Sequence, residues 1–163
     1  MDAYCGVGTM GIIAAKSAGQ VTAVELNADA AKNAAENALL NGIDNIKVIA
    51  ADAGEYMKKA AANGEKFDVV FTDPPRQGCS REFLKALIAL APQRVVYVSC
   101  NPETLARDLT CLVARGYTVN TLQPVDMFPF TRHVECVVCL SREKADDYVR
   151  ISVHTKDLQT KVN

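Results

Sequence analysis

The stretch Asp2-Ala-Tyr-Cys-Gly-Val-Gly-Thr-Met-Gly11 decides the fold of this chain. Gly6, Gly8 and Gly11 are spaced G-x-G-x-x-G, where glycines permit a tight turn and let the backbone approach a ligand. Such a loop works when a strand enters it and a helix leaves it. The helix is legible as Met10 to Ala18, stopping at Gly19. The entering strand is missing or reduced to a stub, so the sequence predicts a fragment of a longer protein, cut just ahead of its first glycine loop.

Strand and helix signals alternate from there. Val21 to Leu26 reads as a strand closing on the acid Glu25, and Asn27 is a good N-cap for an Ala-rich helix to Asn41, with Gly42 as its stop. Ile46 to Ala50 is a short strand, followed by Asp52 and a helix from about Gly54 to Ala62. Phe67 to Thr72 is a strand broken by Asp73-Pro-Pro-Arg76, and Ser80 caps a helix to Leu90. Arg94 to Val98 is a fifth strand. Asn101 and Pro102 open a helix ending at Gly116, with proline where its missing N–H costs nothing. Two further strands, about Thr118 to Gln123 and Val134 to Leu140, have no helix between them and should pair antiparallel at one edge. The expected fold is α/β: a Rossmann-like, mostly parallel seven-stranded sheet with helices on both faces, an arrangement typical of methyltransferases. The catalytic domain is expected over 1–142. Residues 143–163, polar apart from an alternating Tyr148 to Val153, read as a tail or an extra strand.

A length of 163 residues suits one domain, and 49% apolar with 23% charged residues excludes disordered and collagen-like classes. The net charge of -1 carries no bulk signal for a polyanionic partner. No apolar run reaches membrane-spanning length and no signal-peptide pattern is present, so a cytoplasmic protein with no membrane partner is expected. The six cysteines lack a disulfide framework's spacing. Cys136 and Cys139 fall on a strand-like run that sends them to opposite faces, against a metal or redox pair. No metal is expected.

The glycine loop with Glu25 also fits a dinucleotide unit, Glu25 being placed to accept from ribose hydroxyls. Three acids favour S-adenosylmethionine instead. Asp2 beside the loop suits a cation and is unhelpful beside a pyrophosphate. Asp52 ends the third strand, where an adenine edge would lie, and Asp73 ends the fourth, in the crevice where open α/β sheets hold ligands.

Val98-Ser-Cys-Asn-Pro-Glu-Thr-Leu-Ala-Arg-Asp108, Asp73-Pro-Pro-Arg76 and Asp126-Met-Phe-Pro-Phe-Thr-Arg-His-Val-Glu135 resemble the signature motifs of the RNA uracil-C5 methyltransferase family, and Asp2-Ala-Tyr-Cys-Gly-Val-Gly is similar to its cofactor loop. The resemblance covers about residues 1–142. It implies Cys100 as nucleophile and Glu135 as base. It also implies that Tyr4, Gly6, Gly8, Glu25, Asp52 and Asp73 hold S-adenosylmethionine, with Asp73 alternatively at the target base. Arg76, Arg107 and Arg132 become candidate phosphate contacts. The partner implied is RNA, 23S ribosomal RNA ahead of transfer RNA. The family's upstream cofactor contact, its frequent OB-like RNA-binding domain and the iron–sulfur cluster of some members have no counterpart here, so an RNA-binding region is expected in a missing N-terminal part.

The residues support those roles chemically. Carbon 5 of uracil is a poor nucleophile; a thiolate adding at carbon 6 makes an enolate that places electron density there. Cys100 lies one residue before a helix start, where amides and dipole lower a thiol's pKa. Glu135 sits in an apolar strand, where burial would raise its pKa towards a useful range, and His133 is the alternative base. The target uridine must come from a loop or be flipped from a helix. Three competing readings remain: an amino-group methyltransferase using Asp73-Pro-Pro-Arg76 without Cys100, an NAD-linked oxidoreductase, and an inactive RNA-binding module.

Overall fold

A computed structural model describes residues 1–131 and 133–142. The elements are β1 (Asp2–Ala3), α1 (Thr9–Ala15), β2 (Val21–Glu25), α2 (Ala28–Leu40), β3 (Ile46–Ala50), α3 (Ala53–Ala62), β4 (Val69–Thr72), α4 (Arg81–Leu90), β5 (Arg94–Ser99), α5 (Pro102–Val113), β6 (Tyr117–Val125) and β7 (Glu135–Arg142). They form one seven-stranded sheet in the order β3-β2-β1-β4-β5-β7-β6. Strands β1 to β5 run parallel, and β7 pairs antiparallel with both β5 and β6. This is the sheet expected from the sequence. The Tyr148 to Val153 stretch and Arg132 lie outside the described residues.

Local chemistry explains most boundaries. Asn27 accepts from the Asp29 and Ala30 amides, Asp52 from Glu55, Ser80 from Phe83 and Asn101 from Glu103, so four helices begin on a side-chain cap. Helix α1 stops at Ala15 rather than Ala18, because Lys16 and Ser17 donate three residues back, to Ile13 and Ala14, and tighten the last turn. Strand β4 begins at Val69, two residues later than expected, while β6 and β7 extend beyond their expected limits by pairing with each other. Pro124 is tolerated in β6 because that strand is the sheet's edge.

The stub before the glycine loop is central, not peripheral. Asp2 pairs with Ala23 of β2 and Phe71 of β4, and Ala3 with Val24 and Thr72. Two residues suffice because both neighbours supply hydrogen-bond ladders, and the backbone is buried on each side.

Alternation along the strands divides the core between two faces. On one, Val24, Val70, Val95, Tyr97, Val138 and Leu140 pack against Met57, Phe83, Leu87, Leu105 and Leu112 from α3, α4 and α5. On the other, Cys5 and Ala23 pack against Ala34 of α2, with Ile46 and Val48. Phe83, Met57, Leu87 and Leu112 are fully buried, each stabilising the fold by about 1.5–3 kcal/mol.

Candidate active site

Parallel strands end at one edge, and register decides which residues meet there. Ala3 pairs with Val24 and Thr72; one step further, Tyr4 lies between Glu25 and Asp73. Thr72 pairs with Tyr97 and Ser99 with Cys136. Continuing the antiparallel ladder by one residue sets Cys100, leaving β5, against Glu135, entering β7. Residues separated by 35 positions thus come to adjacent strand ends, just past the last backbone pair, Ser99 with Cys136, with Asp73 at the end of the neighbouring strand.

Around the glycine loop, Glu25 accepts from Gly6 N–H through Oε2 and from Asn27 N–H through Oε1, both at 2.9 Å. These bonds orient the carboxylate at its strand end and leave each oxygen a second lone pair. A Cβ on Gly8 would sit 3.1 Å from Ala34 Cβ, so this glycine lets α2 approach, whereas the space above Gly6 is open to 4 Å. Tyr4 adopts a left-handed φ of 62°, a strained conformation for a non-glycine residue, with its ring 5.1 Å from that of Phe83. Asp52 is exposed and spends one oxygen on capping α3.

Asp2 departs from its expected place. It is fully buried, and its Oδ2 accepts from Gly11 N–H at 2.7 Å. It braces the loop from beneath rather than facing a ligand. Its Oδ1 has no hydrogen-bond partner, and burial, partly offset by that Gly11 bond, raises its pKa to about 6.

Among the described residues, no lysine or arginine forms an ion pair with Glu25, Asp52 or Asp73; the ion pairs are Lys32–Glu36 and Arg107–Asp108. An open glycine cradle rimmed by acceptors without basic partners fits a cationic ligand with hydroxyl and amine donors, as S-adenosylmethionine has. It is a poor setting for a pyrophosphate.

On the other side, Cys100 is half-buried. Ser99 Oγ accepts from Asn101 N–H at 3.1 Å and donates to Asn101 O at 3.0 Å, which fixes the turn bearing the thiol. Glu135 is half-buried. Asp73 keeps an exposed face, yet burial first, and then the Glu135 charge, raise its pKa above the ordinary aspartate value. His133 has its Nδ1 3.3 Å from Arg76 Nη2, donates its backbone N–H to Thr131 Oγ1 at 3.2 Å and meets Phe128 edge-on. These contacts give His133 a loop-shaping part. Arg107, a candidate phosphate contact by sequence, is engaged within the protein: it pairs with Asp108 and donates to the carbonyls of Gln77 and Cys79.

Sequence reasoning missed the buried Asp108 and the polar residues around it, Tyr97, Cys79 and Thr104. A signal existed: Leu105, Asp108 and Leu112 share the inward stripe of α5, an unusual place for an acid.

The profile of the tRNA (Uracil-5-)-methyltransferase family matches residues 1–143. An uncharacterized RNA methyltransferase of Oceanobacillus iheyensis is 46% identical over 141 residues, which are 86% of this chain and 31% of that protein. One of Halalkalibacterium halodurans is 47% identical over 140 residues, again 86% and 31%. The chain therefore spans about a third of the length of the curated relatives it matches. Among solved structures, the Pyrococcus abyssi tRNA (uracil-54, C5)-methyltransferase in complex with S-adenosyl-L-homocysteine aligns with a TM-score of 0.72 at 38% identity, covering 85% of this chain and 33% of that one. An rRNA methylase of Streptococcus thermophilus shares the fold at 15% identity, with a TM-score of 0.67 over 88% of this chain and 85% of its own. Strand order, the glycine loop, the adjacent strand ends of Cys100 and Glu135 and a profile match over residues 1–143 agree: the chain belongs to the tRNA (uracil-5-)-methyltransferase family.

Proposed function

We propose that this chain carries the catalytic centre of an S-adenosylmethionine-dependent enzyme that methylates carbon 5 of a uridine in RNA through a covalent Cys100–uracil adduct. The reading rests on the β5–β7 register, which, continued by one residue, sets the half-buried Cys100 thiol at the end of β5 opposite the Glu135 carboxylate. Tyr4, Gly6, Gly8, Glu25 and Asp52 form the cofactor's side of the edge, and Asp73 stands between it and Cys100. Bound there, S-adenosylmethionine supplies an electrophilic methyl group on a sulfonium.

Cys100 as thiolate forms a bond to carbon 6, and the electrons of the 5,6 double bond move to the enolate oxygen. Carbon 5, now electron-rich, takes the methyl group. Glu135 then accepts the proton from carbon 5, the double bond re-forms and the Cys100 thiolate leaves. Asp73, its pKa raised, stays protonated to higher pH than a free aspartate and can donate a hydrogen bond to a uracil carbonyl or accept one from the cofactor.

The test is covalent trapping of the full-length protein on RNA containing 5-fluorouridine. Fluorine in place of the carbon-5 proton leaves Glu135 nothing to remove, so an adduct dependent on Cys100 and on S-adenosylmethionine is expected. An adduct that survives Cys100→Ser removes the proposed nucleophile. Turnover that survives Cys100→Ala favours amino-group methylation instead. A 23S rRNA segment is the expected substrate and tRNA the comparison; faster trapping on tRNA reassigns the substrate and leaves the chemistry intact.

A further inference from the structure

Beyond the residues that face substrate, one polar cluster stands out by its cost. Asp108 is fully buried on the inward stripe of α5, where an unsatisfied carboxylate would be heavily penalised. It is satisfied on both oxygens. Oδ2 accepts from Cys79 N–H at 2.8 Å and from the Tyr97 hydroxyl at 2.7 Å, while Oδ1 lies 2.8 Å from both Nε and Nη2 of Arg107. The bonds join three elements: the loop after β4, strand β5 three residues before Cys100, and the helix that follows Cys100.

The same helix grips that loop along its first two turns. Asn101 Nδ2 donates to Arg76 O at 3.0 Å, and Thr104 Oγ1 lies 3.1 Å from the same carbonyl. Arg107 Nη2 donates to Gln77 O at 3.0 Å and to Cys79 O at 3.2 Å. Positions 101, 104, 107 and 108 are neighbours on one helical face. Every loop atom they hold is backbone, so the arrangement sets where the chain runs, whatever its side chains. Gly78 lies directly against this face: a Cβ there would lie 2.6 Å from Arg107 Nη2 and 2.7 Å from Asp108 Oδ2. Between the gripped carbonyls and Asp73 stand only Pro74 and Pro75, whose rings restrict φ and pass a displacement along instead of absorbing it.

We infer that Arg107 and Asp108 are positioning residues for the reaction: through the backbone of residues 76–79 they set the Asp73 carboxyl against Cys100. This rests on the methyl-transfer reading above. Arg107 is thereby a strut within the site and not a contact to RNA phosphate. A misplacement of about 1 Å at such a distance from the bond being made is enough to slow a reaction about 100-fold.

The test uses Arg107→Ala, Arg107→Lys and Asp108→Asn in the full-length protein. Arg107 is largely exposed, so Arg107→Ala is the variant best able to fold, and circular dichroism verifies that it does. The expected result is a fall in kcat, and in the rate of 5-fluorouridine adduct formation, of about 10- to 100-fold with KM for RNA little changed. Arg107→Lys, which keeps the charge but not the fork, should recover less than half of that loss on a logarithmic scale. Amide hydrogen exchange at Cys79 should speed up in Asp108→Asn whether or not RNA is present. An increase in KM for RNA with kcat unchanged makes Arg107 a phosphate contact and overturns the inference. So does a lower melting temperature with unaltered kcat of the folded fraction, or unchanged exchange at Cys79. Wild-type protein that forms no adduct under any condition removes the methyl-transfer reading itself. A wild-type adduct formed equally fast by Arg107→Ala removes only the positioning role.

Discussion

Residues 73–79 and the described residues of 126–134 both flank the strand ends that carry Cys100 and Glu135, but they are held in different ways. The first loop is clamped through its backbone by Asn101, Thr104, Arg107 and Asp108. The second is closed mostly on itself, by Thr131 N–H and Thr131 Oγ1 donating to Phe128 O, and reaches across the site through the 3.3 Å contact of His133 with Arg76. It presents Met127, Phe128 and Phe130 to solvent, with Phe130 fully exposed at a left-handed φ of 66°. A reaction centre needs one wall that does not move, because misplaced groups cost rate. A wall that meets a splayed single strand gains from exposed rings on which bases of any identity can stack. On the proposed function, the contrast makes the clamped side the candidate for chemistry and the aromatic side the candidate for RNA contact.

The largest effect should come from the corner between the two loops. Cys100→Ser is expected to lower turnover at least ~10⁴-fold, as for other covalent nucleophiles. Measured methyl incorporation above that residue would break the assignment of chemistry to this corner. Glu135→Gln should cost about 10²- to 10⁴-fold in turnover while letting a methylated adduct accumulate on ordinary RNA, visible as a slow-migrating band on a denaturing gel. Loss of turnover without that band would show that Glu135 acts before, not after, methyl transfer.

The clamp itself is tested by glycine. Gly78→Ala places a Cβ against Arg107 and Asp108 at a φ of +75°, and should destabilise the domain by about 2–4 kcal/mol in urea unfolding. Gly116→Ala, at a φ of +88° in open space, should cost only about 1–2 kcal/mol, the price of the backbone conformation alone. Equal losses would mean the loop can retreat and is not clamped.

On the aromatic side, Phe130→Ala should weaken RNA binding by about 1–3 kcal/mol in fluorescence anisotropy with no change in melting temperature. A lower melting temperature would make the ring a packing contact and erase the contrast. The smallest effect is electrostatic. Burial, and then the Glu135 charge, raise the Asp73 pKa, so Asp73 favours folding below its unfolded pKa and that gain disappears as pH rises through the folded value. Glu135→Gln should lower the Asp73 pKa and narrow that window, as followed by carboxyl-carbon NMR titration. An unmoved titration would separate the two carboxylates across the site.

Much of the architecture was legible because it is written locally. Ser80 and Asn101 announce their helices by the bonds their side chains make three and two residues on, and both starts fall where the sequence puts them. The central place of β1 was not legible, since Asp2–Ala3 is too short to carry a pattern and is held wholly by Ala23, Val24, Phe71 and Thr72. Asp2 itself looked like a ligand-facing acid and proved to be a buried brace, because the twofold alternation of a two-residue strand cannot be read without its neighbours. Arg107 looked like a phosphate contact, since nothing local marks the two backbone carbonyls and the carboxylate it holds.

By itself the sequence determined the alternation of strands and helices, the caps, the glycine turn and the chemical identity of the groups at strand ends, all consequences of backbone preference and side-chain chemistry within a few residues. Only the tertiary structure decided that the ends of β5 and β7 bring Cys100 and Glu135 alongside, that residues 76–79 are clamped and that Asp2 is sealed beneath the loop. Those are matters of register between segments far apart in the chain, and register is set by ladder pairing and core packing summed over the whole sheet.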